Sequence, residues 1–205
     1  MKSAKGILAG LAFLVVIAAL AIGADEKAKK TTPAGSMDEK AMMDAMVKYA
    51  TPGEAHKKLE AFAGTWDTSV KWWMKPDAPA SESKGTSENR MILGGRYLEQ
   101  RFEGNFMDQP FTGIGYTGYD NYKKKYVGSW IDSMGTAMMN STGTADASGK
   151  LTFTAEMDDF MTGKKCEIKQ VVTVADNDHH TFEMWGPDPT GKVFKMMEIQ
   201  YMRKK

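Results

Sequence analysis

From Gly64 to the C-terminus the chain is punctuated by turn signals whose spacing permits few kinds of fold. They fall at Lys75-Pro76-Asp77-Ala78-Pro79, Gly94-Gly95, Met107-Asp108-Gln109-Pro110 and Asp120-Asn121. They continue at Met134-Gly135, Asp146-Ala147-Ser148-Gly149, Thr162-Gly163, Asp176-Asn177-Asp178 and Pro187-Asp188-Pro189-Thr190-Gly191. Gly, Pro, Asn and Asp take turn backbone at low cost, each for its own reason. The nine turns leave ten segments of strand length. Several alternate: Leu151, Phe153, Ala155 and Met157 oppose Thr152, Thr154 and Glu156, and Val193, Lys195, Met197, Ile199 and Tyr201 share one parity. Sequential strands with short connections form a meander with two unpaired edges, and closure into a ring removes both. The expected fold is therefore all-β, a ten-stranded antiparallel up-and-down barrel with short N-terminal helices. A two-sheet sandwich is the rival, and the hairpin-by-hairpin order favours the barrel. Glycines within strands (Gly104, Gly113, Gly115, Gly118 and Gly128) are read as bends.

The barrel starts in Leu59-Glu60-Ala61-Phe62-Ala63-Gly64-Thr65-Trp66. Gly64 supplies the left-handed backbone that ends a helix, and a strand follows. Trp66, Thr68, Val70, Trp72 and Met74 fall on one face of that strand, with Thr65, Asp67, Ser69 and Lys71 on the other.

Upstream, residues 1–24 have the layout of a secretory signal: Lys2 and Lys5, an apolar run from Ile7 to Ile22, and small residues at Ala21-Ile22-Gly23-Ala24. The run is about 16 residues, against roughly 20 needed to span a bilayer, so cleavage is expected over a membrane anchor. The mature protein is then periplasmic or secreted, without stable membrane insertion. Residues 25–50 form a polar spacer and a short Met-rich helix, Met37 to Ala50, with Met42, Met43, Met46 and Val47 on one side. Thr51-Pro52-Gly53-Glu54 reads as a capped start, with Thr51 capping and Glu54 completing a capping box, of a helix running to about Ala63. Residues 51–205 make the barrel domain.

Charge is nearly balanced, at +1 overall, which argues against a nucleic-acid partner. The single cysteine, Cys166, cannot form an internal disulfide, so a packed core must supply stability.

Gly64-Thr65-Trp66 opening the first strand after a short helix resembles the lipocalin and fatty-acid-binding (calycin) pattern. That resemblance implies that an arginine near the end of the barrel packs over the tryptophan, and Arg203 stands in that place. A wider set occurs in order: Thr51-Pro52-Gly53-Glu54-Ala55-His56, Gly64-Thr65-Trp66, Arg90-Met91-Ile92-Leu93-Gly94-Gly95-Arg96, Gly118-Tyr119-Asp120, Tyr126 to Met134 and Tyr201-Met202-Arg203. Across roughly residues 51–203 this set resembles the bacterial domain-of-unknown-function family 1579. The family is lipocalin-like in expectation and brings no established activity.

Candidate chemistry is spread over several strands. Glu88 and Arg90 share a parity, as do Glu99, Arg101 and Glu103 on the next strand, and an inward set would hold a ligand carboxylate by charge-assisted pairing. An outer wall of alternating charges explains Glu99, Arg101 and Glu103 better. Trp130 and Asp132 share a parity with Tyr126 and Gly128, giving an aromatic wall with one carboxylate suited to an amphipathic ligand. Core packing of Trp130 and a strand-end cap by Asp132 are the plainer roles. Methionines number 17, and Met138-Met139 or Met196-Met197 raise the idea of copper(I), a soft ion. Neighbours on a strand face opposite ways, so core and pocket filling is preferred. His179 and His180 begin a strand, and haem would need one of them inside the lumen. No cofactor and no metal are expected, and no hydrolase triad or phosphate loop is visible.

The expected function is non-covalent binding of a small hydrophobic or amphipathic molecule in the lumen. Its expected lining is Trp72, Arg90, Trp130, Asp132 and Met138, with Arg90 anchoring an anionic head and Gly64, Trp66 and Arg203 as a structural latch. A cavity enzyme using Asp132 or Glu88, and a structural barrel filled by side chains, are the alternatives. The sequence leaves the oligomeric state open.

Overall fold

A computed structural model describes residues 38–159 and 162–205. The expected signal, the polar spacer and Met37, the expected first residue of the Met-rich helix, lie outside the described residues. A helix α1 (Glu39–Ala50) and a short helix α2 (Glu54–Lys57) precede a 3-10 turn, Lys58–Phe62. Ten strands follow: β1 (Gly64–Trp72), β2 (Ser81–Ile92), β3 (Tyr97–Phe106), β4 (Gln109–Asp120), β5 (Lys125–Asp132), β6 (Met139–Ala145), β7 (Leu151–Asp159), β8 (Lys164–Val174), β9 (His179–Pro187) and β10 (Val193–Arg203). Each pairs antiparallel with its sequence neighbour, and β1 pairs with β10 to close the barrel, Trp66 opposite Arg203.

The helical lead-in differs from expectation in its chemistry. Thr51 Oγ1 donates to the Val47 carbonyl at 2.6 Å, so it closes α1 and does not cap α2. Gly53 is the cap instead, its N–H donating to His56 Nδ1 at 3.0 Å. Leu59 and Phe62, from the 3-10 turn, plug one end of the barrel and pack with Leu98, Tyr126, Leu151 and Phe153. We call this the closed end; β1 enters there and leaves at the open end. On α1 the methionine face forms as expected and is solvent-exposed, with no residue of the helix buried.

Alternation carries the fold. In β1, Trp66, Thr68 and Val70 are buried and Asp67 is exposed. Met74 lies past the end of β1 and is 69% exposed, so the inward row stops at Trp72. In β10 a bulge between Lys195 and Met197 breaks the expected parity. Met197, Ile199 and Tyr201 keep the inner face, opposite Met184, Phe182 and His180, while Lys195 pairs opposite Trp185 outside. One extra residue reverses the facing of everything beyond it.

Candidate functional site

The lumen divides along its axis. Towards the closed end the inner row is buried: Trp66, Asn89, Leu98, Tyr126, Phe153, His180 and Tyr201 are all under a tenth exposed. Towards the open end the inner row is aromatic and methionine-rich yet only partly buried, as at Trp72, Phe106, Phe111, Trp130, Met139 and Met197. Solvent therefore reaches apolar side chains inside the mouth.

Trp72 packs on Phe106 with ring centroids 4.8 Å apart, and Phe102 meets Phe111 edge-on at 5.8 Å. Trp130 lies against β4, where Gly115 is its strand partner and Gly113 pairs with Asp132. A Cβ at Gly115 would sit 2.9 Å from Trp130 Cε3, and one at Gly113 would collide with the same ring. These glycines, expected as bends, instead clear a flat bed for an indole. The Trp130 Nε1–H donates to Asp132 Oδ2 at 2.9 Å, and Asp132 Oδ1 accepts the Met134 N–H at 2.9 Å. Asp132 thus fixes the indole and caps the strand end, and both its oxygens are engaged.

Below the mouth is a polar waist. Gln100 Nε2 donates to Ser87 Oγ at 3.0 Å and to the Tyr201 hydroxyl at 3.3 Å. Ser87 Oγ donates to Asn89 Oδ1 at 2.8 Å, and Asn89 Nδ2 donates to the Phe62 carbonyl at 3.0 Å, tying the waist to the plug. His180 stacks on Tyr201 at 4.2 Å and meets the edge of Trp66 at 4.3 Å. Burial, aided by the nearby Arg203 charge, lowers its imidazole to about 4, and burial pushes the Tyr201 phenol up to about 12. Both groups are neutral around pH 7. Beside them is a void of about 80 Å³ bordered by Asn89, Gln100, His180 and Tyr201. It is far below the roughly 300 Å³ at which drug-sized sites begin, and roomy enough for a few waters. His180 Nδ1 and Thr68 Oγ1 are buried without a hydrogen-bond partner among the described residues.

The expected site residues fall into two groups. Trp72, Trp130 and Asp132 stand on the inner face near the mouth. Arg90 does not: its side chain is 68% exposed on the outer wall, giving a 2.9 Å ion pair to Glu99. The inward row of β2 is instead Ser87 and Asn89, polar side chains that sequence alternation could not separate from the polar outer row. Glu88 is exposed on the same outer row, which removes it as a cavity acid. Arg101 also reaches Glu99 at 2.9 Å, and the two guanidiniums hold that carboxyl below its ordinary range, Arg101 contributing most. Glu103 is exposed. Met138 is 57% exposed just ahead of β6, and its neighbour Met139 takes the inner position. His179 is exposed and paired with Asp176, while His180 turns inward. The inner residues not anticipated include Asn89, Gln100, Phe106 and Phe111. Counting by twos from one correctly faced residue per strand would have found them.

The latch residues meet at the closed end. Arg203 lies over the Trp66 indole, 4.0 Å from guanidinium carbon to ring centroid. Its Nη1 donates to the Ala63 carbonyl at 2.7 Å and its Nη2 to the Ala61 carbonyl at 2.9 Å. Gly64 has φ +125°, and a Cβ there would strike Arg203 Nη1. Glycine is required twice over, for its backbone and for its missing side chain.

Among solved structures, the chain is similar to the S-type phycobiliprotein lyase CPES from Guillardia theta, with 11% identity, a TM-score of 0.54, and 78% of this chain and 97% of that one covered. That likeness speaks to the fold alone. The chain also matches a de novo designed fluorescence-activating beta barrel at 16% identity and TM-score 0.41, covering 71% of this chain and 95% of that one. No curated protein matches the chain in sequence. The family model described as "Protein of unknown function (DUF1579)" matches residues 51–203, which span the short helix, the plug and all ten strands, and the chain belongs to that family.

Proposed function

We propose that the barrel binds a small apolar or amphipathic molecule non-covalently, entering at the open end and resting on Trp72, Trp130 and the neighbouring Phe and Met side chains. One observation carries this reading: apolar side chains of the inner wall at the mouth are left partly solvent-accessible, while those deeper in the lumen are buried. Covering such surface is worth roughly 25 cal/mol per Å². The polar end of the ligand is neutral or cationic. Arg90 and Arg101 lie on the outer wall, Arg96 bonds the Leu93 carbonyl in the β2–β3 turn, and Arg203 serves the closed end. The mouth instead holds the carboxylate of Asp132. This replaces the anionic head expected from the sequence. The signal-like pattern of residues 1–24, Lys2 and Lys5 followed by the apolar run to Ile22, fits an exported setting for this binding. A barrel of this architecture also serves the phycobiliprotein lyase.

The small waist void favours a second reading, a structural barrel filled by its own side chains. Tryptophan-fluorescence titration with a long-chain alcohol, the matching fatty acid and the matching amine separates the two. Binding of the alcohol or amine ahead of the acid, unchanged by Arg90→Ala and weakened by Trp130→Ala, is the expected result. If none of the three binds, the barrel is a filled one, and if the acid binds best and needs Arg90, the assignment of the mouth is wrong.

A further inference from the structure

On the outer wall near the open end, independent of the lumen, a second concavity of about 270 Å³ is lined by Trp73, Lys75, Asp77, Trp185, Lys192 and Lys195. Its construction depends on the β10 bulge. Without the extra residue Lys195 would share the inward parity of Met197; with it, Lys195 stands outside opposite Trp185. The Trp73 N–H donates to the Met196 carbonyl at 2.9 Å, extending the β1–β10 pairing so that the second indole reaches the same spot. The Lys195 ammonium then sits between the two rings, 5.6 Å from the Trp73 centroid and 5.8 Å from that of Trp185.

Lys195 is not a loose surface cation. It gives one hydrogen bond to Glu183 at 3.0 Å and another to Glu198, and the three side chains are only 27%, 30% and 19% exposed. Trp185 Nε1–H leans on Glu183 Oε2 at 3.4 Å, which orients the ring. An ammonium has three donors, so one remains for a guest. Lys192 stands 3.9 Å from Asp77 across the rim. The charges of the pocket are thereby matched in place: two carboxylates around Lys195, one facing Lys192, and Lys75 as the remaining cation.

We infer that this concavity is a binding site for a neutral carbohydrate, one pyranose ring in size. The walls are flat indoles, which cover the C–H face of a sugar ring. Lys195 offers a donor and Asp77, at the rim, an acceptor for ring hydroxyls, and the charges are internally neutralised, so the pocket draws neither a free anion nor a free cation strongly. The volume lies just under the roughly 300–1,000 Å³ of drug-sized sites, which suits a single ring. Bulges recur beside functional sites because they re-aim a side chain, as this one re-aims Lys195.

The test follows the indole N–H resonances of the ¹⁵N-labelled protein during titration with methyl glycosides of glucose, galactose, mannose and N-acetylglucosamine. At least one glycoside should shift Trp73 and Trp185 saturably, with an affinity on the order of millimolar, and leave Trp66 and Trp130 in place. Trp185→Ala and Lys195→Met should each weaken that glycoside about tenfold or more, while unchanged Trp66 and Trp130 signals show an intact barrel. No shift with any glycoside, equal affinity in the variants, or sodium benzoate displacing the sugars as the preferred guest would each overturn the assignment.

Discussion

Removing the Arg203 guanidinium should loosen the closed end of the barrel by an amount the geometry specifies. Stacking on Trp66 at 4.0 Å contributes about 0.5–2 kcal/mol. Arg203 also donates to the carbonyls of Ala61, Ala63 and Asn177 at 2.9, 2.7 and 2.8 Å. Charged hydrogen bonds of that kind are worth about 1.5–3 kcal/mol each when fully buried. Here the side chain is 28% exposed, and water can replace much of what the carbonyls lose. Arg203→Ala should therefore cost about 2–4 kcal/mol in all, below the simple total. Trp66 is 1% exposed and donates to the Phe62 carbonyl at 2.9 Å, and Trp66→Ala should cost about 3–5 kcal/mol. Urea unfolding of both single mutants and the double mutant gives the coupling energy, expected at about 1–2 kcal/mol, with Arg203→Lys recovering less than half of the Arg203→Ala loss. Additivity to within about 0.3 kcal/mol would refute the latch, because two residues in direct contact should couple.

Two further predictions concern the lumen. His180 titrates at about 4 in the folded protein against an ordinary value near 6.5, so the unfolded chain binds more protons between those values; stability is complete above pH 6.5 and falls as pH drops towards 4. The loss is on the order of 3 kcal/mol, and chemical denaturation across this range should show it largely removed in His180→Phe, with a residue of the same sign from buried His56; an unchanged pH slope in that variant would place the titrating group elsewhere. Gly113→Ala drives a methyl into the Trp130 ring and should destabilise by about 1–3 kcal/mol while shifting tryptophan emission; a silent substitution would mean the indole is not seated on β4.

The number of strands, their order and the closure between first and last were legible in the sequence. Turn residues are a local property, and closing a hairpin-by-hairpin meander of ten strands removes both of its edges. The inward row of β1 could be read as far as Trp72 because its alternation is strong, and the Trp66–Arg203 latch was implied by the resemblance of Gly64-Thr65-Trp66 to the calycin pattern. Where both rows of a strand are polar, as in β2, local sequence does not say which row faces in, and Arg90 was expected inside when Asn89 is the residue there. Facing in such a strand is set by registry with neighbours, Ser87 against Phe102 and Trp66, which are remote in sequence. The β10 bulge is the same lesson in reverse. Val193, Lys195 and Met197 alternate regularly, and only the pairing with β9 inserts the extra residue that sends Lys195 out between two indoles. Side-chain period is local, but strand facing and bulges belong to the pair of strands, so they were decided when the barrel closed.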